Sequence, residues 1–232
     1  MARASLLFVA LVLAPVEALR PAGARPAGRP RSSHLVASSS VVGTQWARYL
    51  RALEEKPMPT KMATAAVLSG TGDLIAQSIE RAGPFAIKRF LTLVAVNVLY
   101  VVPVLTLFYA ANERLTAKLE AGWPKTLVQL GFDQLINAPI VIAGFFCAFQ
   151  LATAVADALT GAPLPGLGSL AGAVGTQLRS SYLSTVVSNW KIWVLPQLVN
   201  FAFVPVFARV AFANAIALVW NVVLSVIANS PA

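Results

Sequence analysis

The chain has 232 residues, of which 57% are hydrophobic and only 12% are charged. Soluble domains usually contain about a quarter charged residues, so this composition excludes an ordinary soluble protein and indicates a membrane protein. The formal net charge is +9, but the lysines and arginines are scattered along the chain. Because nucleic-acid binding needs a clustered basic face, we expect no nucleic-acid partner.

The N-terminal segment has the composition of a targeting leader in two parts. Residues 1–18 have a basic start, an apolar core at 6–14 and small residues at a signal-peptidase position, which is the pattern of a signal peptide. Residues 19–42 are rich in Arg, Ser, Ala and Pro and contain no acid, which is typical of a transit peptide.

A signal peptide followed by a transit peptide resembles the leaders of algae with complex plastids, so a plastid membrane is the predicted location. A plain signal peptide with a disordered linker, or a mitochondrial presequence, stays open as an alternative. The corresponding alternative locations are the mitochondrial inner membrane and the peroxisomal membrane.

The rest of the chain, residues 43–232, is predicted to be one all-α membrane domain. It begins with residues 44–61, which are predicted to form an N-terminal amphiphilic helix, and continues with long apolar runs. A helix needs about 20 apolar residues to cross a bilayer, so we expect a polytopic helix bundle of four to five spans. The apolar runs are residues 62–79, 90–110, 138–156, 192–208 and 210–228.

Prolines, glycines and one arginine separate these runs. Residues 123–137 form a helix candidate that leads into the third run, where Pro139 is predicted to break or kink the helix. The gap at 157–191 opens with "TGAPLPGLGSLAGAVG", a predicted loop, and continues as a predicted interfacial helix. Only Arg209 separates the last two runs, which form either a tight hairpin of two spans or one span followed by a surface helix. The orientation stays open because the positive residues divide too evenly.

Four of the predicted helices carry a polar stripe, because residues three, four and seven apart share a helix face. An aspartate at the bilayer centre costs about 2.5 to 3.5 kcal/mol, so Asp73 and Asp133 need compensation. Arg209 is the cation nearest to any run, and we expect it to pair with Asp73 or Asp133. The stripes either join helices through hydrogen bonds worth roughly 0.6 kcal/mol each or converge on a wet pathway.

Enzyme and metal motifs are missing from the sequence. It contains no nucleophile elbow, phosphate loop or metal-ligand spacing. The single cysteine, Cys147, lies in an apolar run, and the single histidine, His34, lies in the leader. We therefore expect no enzyme activity, no metal and no cofactor. A pigment-binding role is disfavoured because no histidine lies outside the leader.

Several motifs resemble one membrane-protein family. "GTGDLIAQ", "PVLTLFY", "FDQLINAP" and "NWKIWVLPQLVNFAFVPVFAR" are similar to the family of the 22-kDa peroxisomal membrane protein, also called the Mpv-seventeen family. The family's proline after the second tryptophan of the last motif is Val194 here. The matched positions include Trp46, Tyr49, Pro57, Gly72, Pro103, Pro139, Trp190, Trp193, Phe201, Pro205, Trp220 and Asn221.

The resemblance implies a small integral protein of organelle membranes that acts as a weakly selective pore for small solutes and serves organelle homeostasis. Expected partners are the lipid bilayer, small solutes or ions, and a second copy in a homo-oligomer. The alternative is a structural or assembly membrane protein that transports nothing. Trp46, Trp190 and Trp193 are predicted interfacial anchors. The predicted lining of the path is Asp73, Gln77, Asp133, Gln134, Gln197, Asn200 and Arg209.

Overall fold

The computed structural model describes residue 45, residues 47–80 and residues 83–228, with only the backbone at 219–228. The predicted signal peptide at 1–18, the predicted leader at 19–42 and Trp46 lie outside the described residues. Within the described ranges the chain forms helices with short connections and no strand. The all-α prediction is therefore confirmed for this part of the chain.

The chain divides into two compact units, Met1–Thr60 and Lys61–Ala232. In the first unit a helix, α1, covers residues 47–55, within the stretch predicted to be amphiphilic. Thr60 Oγ1 donates a hydrogen bond of 2.9 Å to the Ala52 carbonyl. Such side-chain donors satisfy the carbonyls that a helix leaves open at its last turn. The amphiphilic character of α1 stays a prediction.

Long helices make up the rest of the described chain, and the connections between them are short. They are α2 (Pro57–Glu80), α3 (Ile87–Leu115), α4 (Trp123–Leu159), α5 (Leu167–Phe203) and α6 (Arg209–Ala228), with one 3-10 turn at Val206–Ala208.

Ion pairs at both ends show that α3 and α4 are antiparallel. Lys88 near the start of α3 pairs with Asp157 near the end of α4. Lys125 near the start of α4 pairs with Glu113 near the end of α3. Helix α5 packs against α4, and α6 packs against α5 and the second half of α3. These four helices therefore surround a shared interior.

By length and composition α3 and α4 can cross a membrane, and the most apolar 18-residue windows in them have mean hydropathies of 2.3 and 1.9. Along Ala138–Leu159 no residue is buried within the protein. Such an apolar surface needs cover from lipid or another apolar partner. Of the helices in the described ranges, α3 and α4 meet this test, so the total of four to five spans stays a prediction.

The prediction that Pro139 breaks or kinks its helix was wrong about a break, since α4 is continuous through it. A π turn at Asp133–Asn137 precedes this proline, and a π turn at Asn97–Val101 precedes Pro103 in α3. The residue before each proline donates its N–H to the carbonyl five residues back, as Ala138 does to Asp133. Because proline has no N–H and crowds the preceding turn, the wider π turn accommodates it.

The π turn of α4 leaves one backbone carbonyl without a helical donor. The carbonyl of Gln134 would receive its π bond from residue 139, which is Pro139 and has no N–H. The indole N–H of Trp190 in α5 donates to this carbonyl at 2.8 Å. An unpaired carbonyl among apolar helices is costly, so Trp190 joins α4 to α5 at the point where the proline opens the helix. This contact gives Trp190 a packing role beside the predicted interfacial one.

The π turn of α3 places Tyr100 directly against Gly144 of α4. A Cβ atom at position 144 would overlap the Tyr100 hydroxyl and ring. Tyr100 donates from its hydroxyl to the Val141 carbonyl at 3.2 Å. Gly144 is therefore required by the close approach of two helices.

The predicted loop after α4 is shorter than expected. Helix α5 begins at Leu167 and continues through the predicted interfacial helix to Phe203. Each glycine in this stretch lowers helix stability by only about 1 kcal/mol, which the alanine- and leucine-rich surroundings tolerate. After Pro205 the chain makes one 3-10 turn and then restarts as α6 at Arg209. A tight turn therefore joins α5 to α6, which both alternatives for the last two runs allow.

We expect Trp190→Phe to destabilise the protein by about 1 to 3 kcal/mol, because the Gln134 carbonyl loses its donor. In a Pro139→Ala background, which restores a backbone N–H at position 139, the same substitution should cost at least about 1 kcal/mol less. Thermal unfolding of the four variants in detergent micelles measures both values. Equal costs in the two backgrounds would show that the indole N–H does not serve this carbonyl.

Candidate functional site

Three groups of polar side chains stand out among the described residues of the second unit. The Asp73 group contains Asp73, Gln77, Glu80 and Arg89. The Asp133 group contains Tyr109, Asp133, Gln134, Asn137, Gln197 and Asn200. The Arg209 group contains Glu113, Lys125, Gln129 and Arg209.

In the Asp73 group an arginine compensates the buried carboxylate. Asp73 is 4% exposed, and its Oδ1 lies 2.9 Å from Arg89 Nε. Gln77 Nε2 donates to Asp73 Oδ2 at 2.7 Å. Arg89 also binds Glu80 through both terminal nitrogens, at 2.7 and 3.1 Å, and this hydrogen bonding lowers the pKa of the Glu80 carboxyl. The group joins α2 to α3 through ion pairs, and we call this arrangement the electrostatic lock.

Gln77 fixes the connection between the same two helices. Its Oε1 accepts the Ala86 N–H at 2.7 Å, and its Nε2 lies 3.3 Å from the Ala86 carbonyl. A Cβ atom at Gly70 would lie 3.1 Å from the Phe90 ring, so this glycine lets the ring approach α2 closely. The polar and glycine residues of "LSGTGDLIAQ" thus serve the packing of α2 on α3.

In the Asp133 group the carboxylate has only neutral partners. Asp133 is 2% exposed; Asn137 Nδ2 donates to its Oδ1 at 2.6 Å, and Gln134 Nε2 donates to its Oδ2 at 2.7 Å. No Lys or Arg of the described ranges forms an ion pair with Asp133. Two amide dipoles therefore hold a carboxylate that no side-chain cation neutralises.

A second set of hydrogen bonds connects α3 to α5 within the group. Gln197 Nε2 donates to the Tyr109 hydroxyl at 3.0 Å, and Asn200 Nδ2 donates to Gln197 Oε1 at 2.8 Å. Tyr109 and Asn200 are 1% and 0% exposed. Because each partner is itself oriented by a hydrogen bond, the Gln197 amide has a fixed orientation.

The Asp133 group faces a cavity of about 600 Å³. Asn137 Oδ1 and Asn214 Nδ2 belong to residues of its lining and are buried without a hydrogen-bond partner. The size is typical of small-molecule sites, which are mostly apolar with a few placed polar groups. Its lining includes Asn97, Tyr109, Asp133, Gln134, Asn137, Phe145, Phe146, Thr185, Asn189, Trp193, Gln197 and Asn214.

The prediction that Arg209 pairs with Asp73 or Asp133 was wrong. Arg209 Nη1 lies 3.2 Å from Glu113 Oε2, and its guanidinium lies 5.1 Å from the centre of the Phe201 ring. Glu113 also accepts hydrogen bonds from Lys125 and Gln129. Because α6 begins at Arg209 beside the end of α3, the nearest acid is the one in the last turns of α3.

The predicted path residues fall in different places. Asp133, Gln134 and Gln197 line the cavity. Asn200 is not part of the lining; its Nδ2 donates to Gln197 Oε1 and lies 3.4 Å from the Arg209 carbonyl. Asp73 and Gln77 are not part of this lining and lie beside Arg89, near the start of α3. Their partner Arg89 is 20 positions before Tyr109 on α3, which corresponds to about 30 Å along a helix.

Sequence reasoning missed two charged partners, Arg89 and Glu113. Arg89 could have been found from the short connection between α2 and α3, because an antiparallel pair places residues on either side of a turn opposite each other. Asp73 and Glu80 on one side then both face Arg89. Glu113 has no such signal, since its contact with Arg209 depends on how α6 packs against α3.

Comparison with known proteins points to one family. A model described as the Mpv17 / PMP22 family matches residues 169–225, which cover most of α5 and α6. The mitochondrial inner membrane protein Mpv17 of Mus musculus is 31% identical over 188 residues, which are 78% of this chain and 95% of that protein. Mpv17 of Xenopus laevis is 29% identical over 79% of this chain and 97% of its own length.

The peroxisomal membrane protein 2 of Bos taurus is also similar, with 27% identity over 77% of this chain and 86% of its own length. No solved structure matches the chain.

We expect Arg89→Met to destabilise the protein by about 2 to 3 kcal/mol, because it leaves the buried Asp73 carboxylate without its cation. The value lies below that of a fully buried pair because the Arg89 side chain is 40% exposed. The neighbouring Lys88→Met is the matched control. Its pair with Asp157 is about half exposed and should cost about 0 to 1 kcal/mol.

Thermal unfolding in detergent micelles measures the loss of stability in Arg89→Met and in Lys88→Met. Equal losses of stability would refute the electrostatic lock.

Proposed function

Because the chain belongs to the Mpv17/PMP22 family of membrane proteins, we propose that it forms a channel-like passage for small solutes or ions across an organelle membrane. The family associates the chain with a lipid bilayer. The relatives are named for the mitochondrial inner membrane and the peroxisomal membrane, which supports an organelle location. The passage contributes to organelle homeostasis by letting small solutes equilibrate, and it needs no enzyme activity.

The observation that carries this proposal is the cavity beside Asp133. A buried carboxylate without a cation and two amide atoms without hydrogen-bond partners, Asn137 Oδ1 and Asn214 Nδ2, are expensive among apolar helices. Water or a polar solute in the cavity supplies the missing partners.

The proposed path is lined by Asp133, Gln134 and Gln197, which the sequence singled out, together with Tyr109 and Asn137. Asn200 and Arg209 support this lining, since Asn200 orients Gln197 and approaches the Arg209 carbonyl.

The remaining predicted path residues, Asp73 and Gln77, are assigned to packing between α2 and α3 in this proposal. Their hydrogen bonds and the contact with Arg89 are all made within that helix pair and the connection between its helices.

The alternative function is a structural or assembly membrane protein without transport. The Asp73 group favours it, because there a buried acid serves helix packing. Under this alternative the Asp133 group also only joins helices, and the protein carries no solute across a sealed bilayer. A flux measurement therefore separates the two functions.

For the location we propose a plastid membrane in an alga with complex plastids, on the strength of the two-part leader at 1–18 and 19–42. A fluorescent protein fused behind residues 1–45 should enter the plastid of such an alga. Removal of residues 1–18 from the fusion should leave it outside the plastid. Accumulation of the full fusion in mitochondria or peroxisomes would contradict the plastid location and agree with the names of the relatives.

For the passage itself, we expect Asp133→Asn to lower the ratio of cation to anion permeability several-fold while leaving membrane insertion intact, because the wall of the path loses its charge. Asp157→Asn is the matched control on the same helix, since that side chain is 43% exposed and lies outside the cavity lining. Reversal potentials under a salt gradient in planar bilayers measure the ratio. Absence of any conductance from the native protein would favour the structural alternative.

A further inference from the structure

We infer that the cavity beside Asp133 binds a small organic ammonium ion with an apolar body. This inference rests on the proposed function, because it names the class of solute that the same cavity admits. Four features of the cavity support it: the charge of its acid, its free acceptor, its aromatic wall and its size.

The charge balance of the cavity calls for a cation. Asp133 receives hydrogen bonds from the neutral amides of Asn137 and Gln134, and no residue of the cavity lining is Lys or Arg. In a medium of low dielectric constant an opposite charge interacts strongly with such a carboxylate. The same balance disfavours an anionic solute, which would meet the carboxylate without any compensating side chain.

The free acceptor fits an ammonium group. An ammonium nitrogen carries N–H donors and no acceptor, so it needs several oxygens close together. Asn137 holds Asp133 through its Nδ2 atom at 2.6 Å, while its own Oδ1 is buried without a partner. The carboxylate and this amide oxygen therefore lie side by side and together accept more than one N–H.

The aromatic wall and the size of the cavity fit an organic ion rather than a bare metal ion. Phe145, Phe146 and Trp193 belong to the lining, and aromatic faces attract cations while also covering apolar groups. A volume of about 600 Å³ far exceeds that of a single ion and falls in the range of small-molecule sites. Within the described ranges no cluster of three His, Cys, Asp or Glu residues could hold a metal ion.

The test compares two probes of equal size, benzylammonium and benzyl alcohol, on the full chain in lipid nanodiscs. Equilibrium dialysis with radiolabelled probes measures binding above that of empty nanodiscs. We expect saturable binding of benzylammonium, and binding of the uncharged alcohol that is weaker by at least about tenfold. Equal affinity for the two probes, or no saturable binding of either, would overturn the inference.

The variants assign the binding to one carboxylate. Asp133→Asn should weaken benzylammonium binding by at least about tenfold, whereas Asp157→Asn, the same change at a half-exposed site of α4 outside the cavity lining, should leave it unchanged. Unchanged binding in Asp133→Asn would also overturn the inference. If Asp133→Asn fails to insert, the comparison of the two probes on the native chain decides alone.

A separate liposome efflux assay keeps this inference distinct from the proposed passage. Charge-selective binding without efflux of any solute would retain the ammonium site and overturn the passage. Efflux of small neutral solutes by a protein that binds both probes equally would retain the passage and overturn the ammonium site.

Discussion

A polar group surrounded by apolar helices must find a partner, and the arrangement of α2 to α6 follows from how each such group finds one. Asp73 and Asp133 are both almost fully buried, yet they meet this requirement differently. Asp73 contacts a guanidinium and a glutamine that is itself bonded to the backbone. Asp133 contacts two amides and faces a cavity. The first arrangement pairs the acid with a cation, whereas the second has no cation and faces a cavity.

The same requirement governs the backbone around the prolines. Pro103 and Pro139 follow π turns that keep α3 and α4 continuous. The carbonyl that Pro139 leaves free lies in Gln134, whose side chain holds Asp133, and Trp190 of α5 covers it. The proline therefore opens α4 at the residues that carry the polar group, and it supplies the attachment point for α5. Pro139 therefore influences both the packing of α5 on α4 and the position of the Asp133 group.

Helical spacing was enough to predict that α4 and α5 carry Asp133, Gln134, Gln197 and Asn200 on inward stripes, because such spacing fixes a face whatever the helix packs against. It could not predict the partner of Arg209, which depends on how α6 meets α3. Nor could it place Asp73, since the short connection after α2 directs that residue to Arg89. The start of α5 at Leu167 was missed because glycines weaken a helix without ending it.

Charge balance along the helices separates the three polar groups by role. At one end Arg89 lies between Asp73 and Glu80, and at the other Glu113 lies between Lys125 and Arg209. Each end group contains both signs of charge, so losing one member exposes another and loosens the fold. Asp133 lies between them with neutral partners only, so removing its charge exposes no cation. Among the acids of these groups, Asp133 is therefore the one whose charge can attract a solute without being needed to neutralise a cation of the fold.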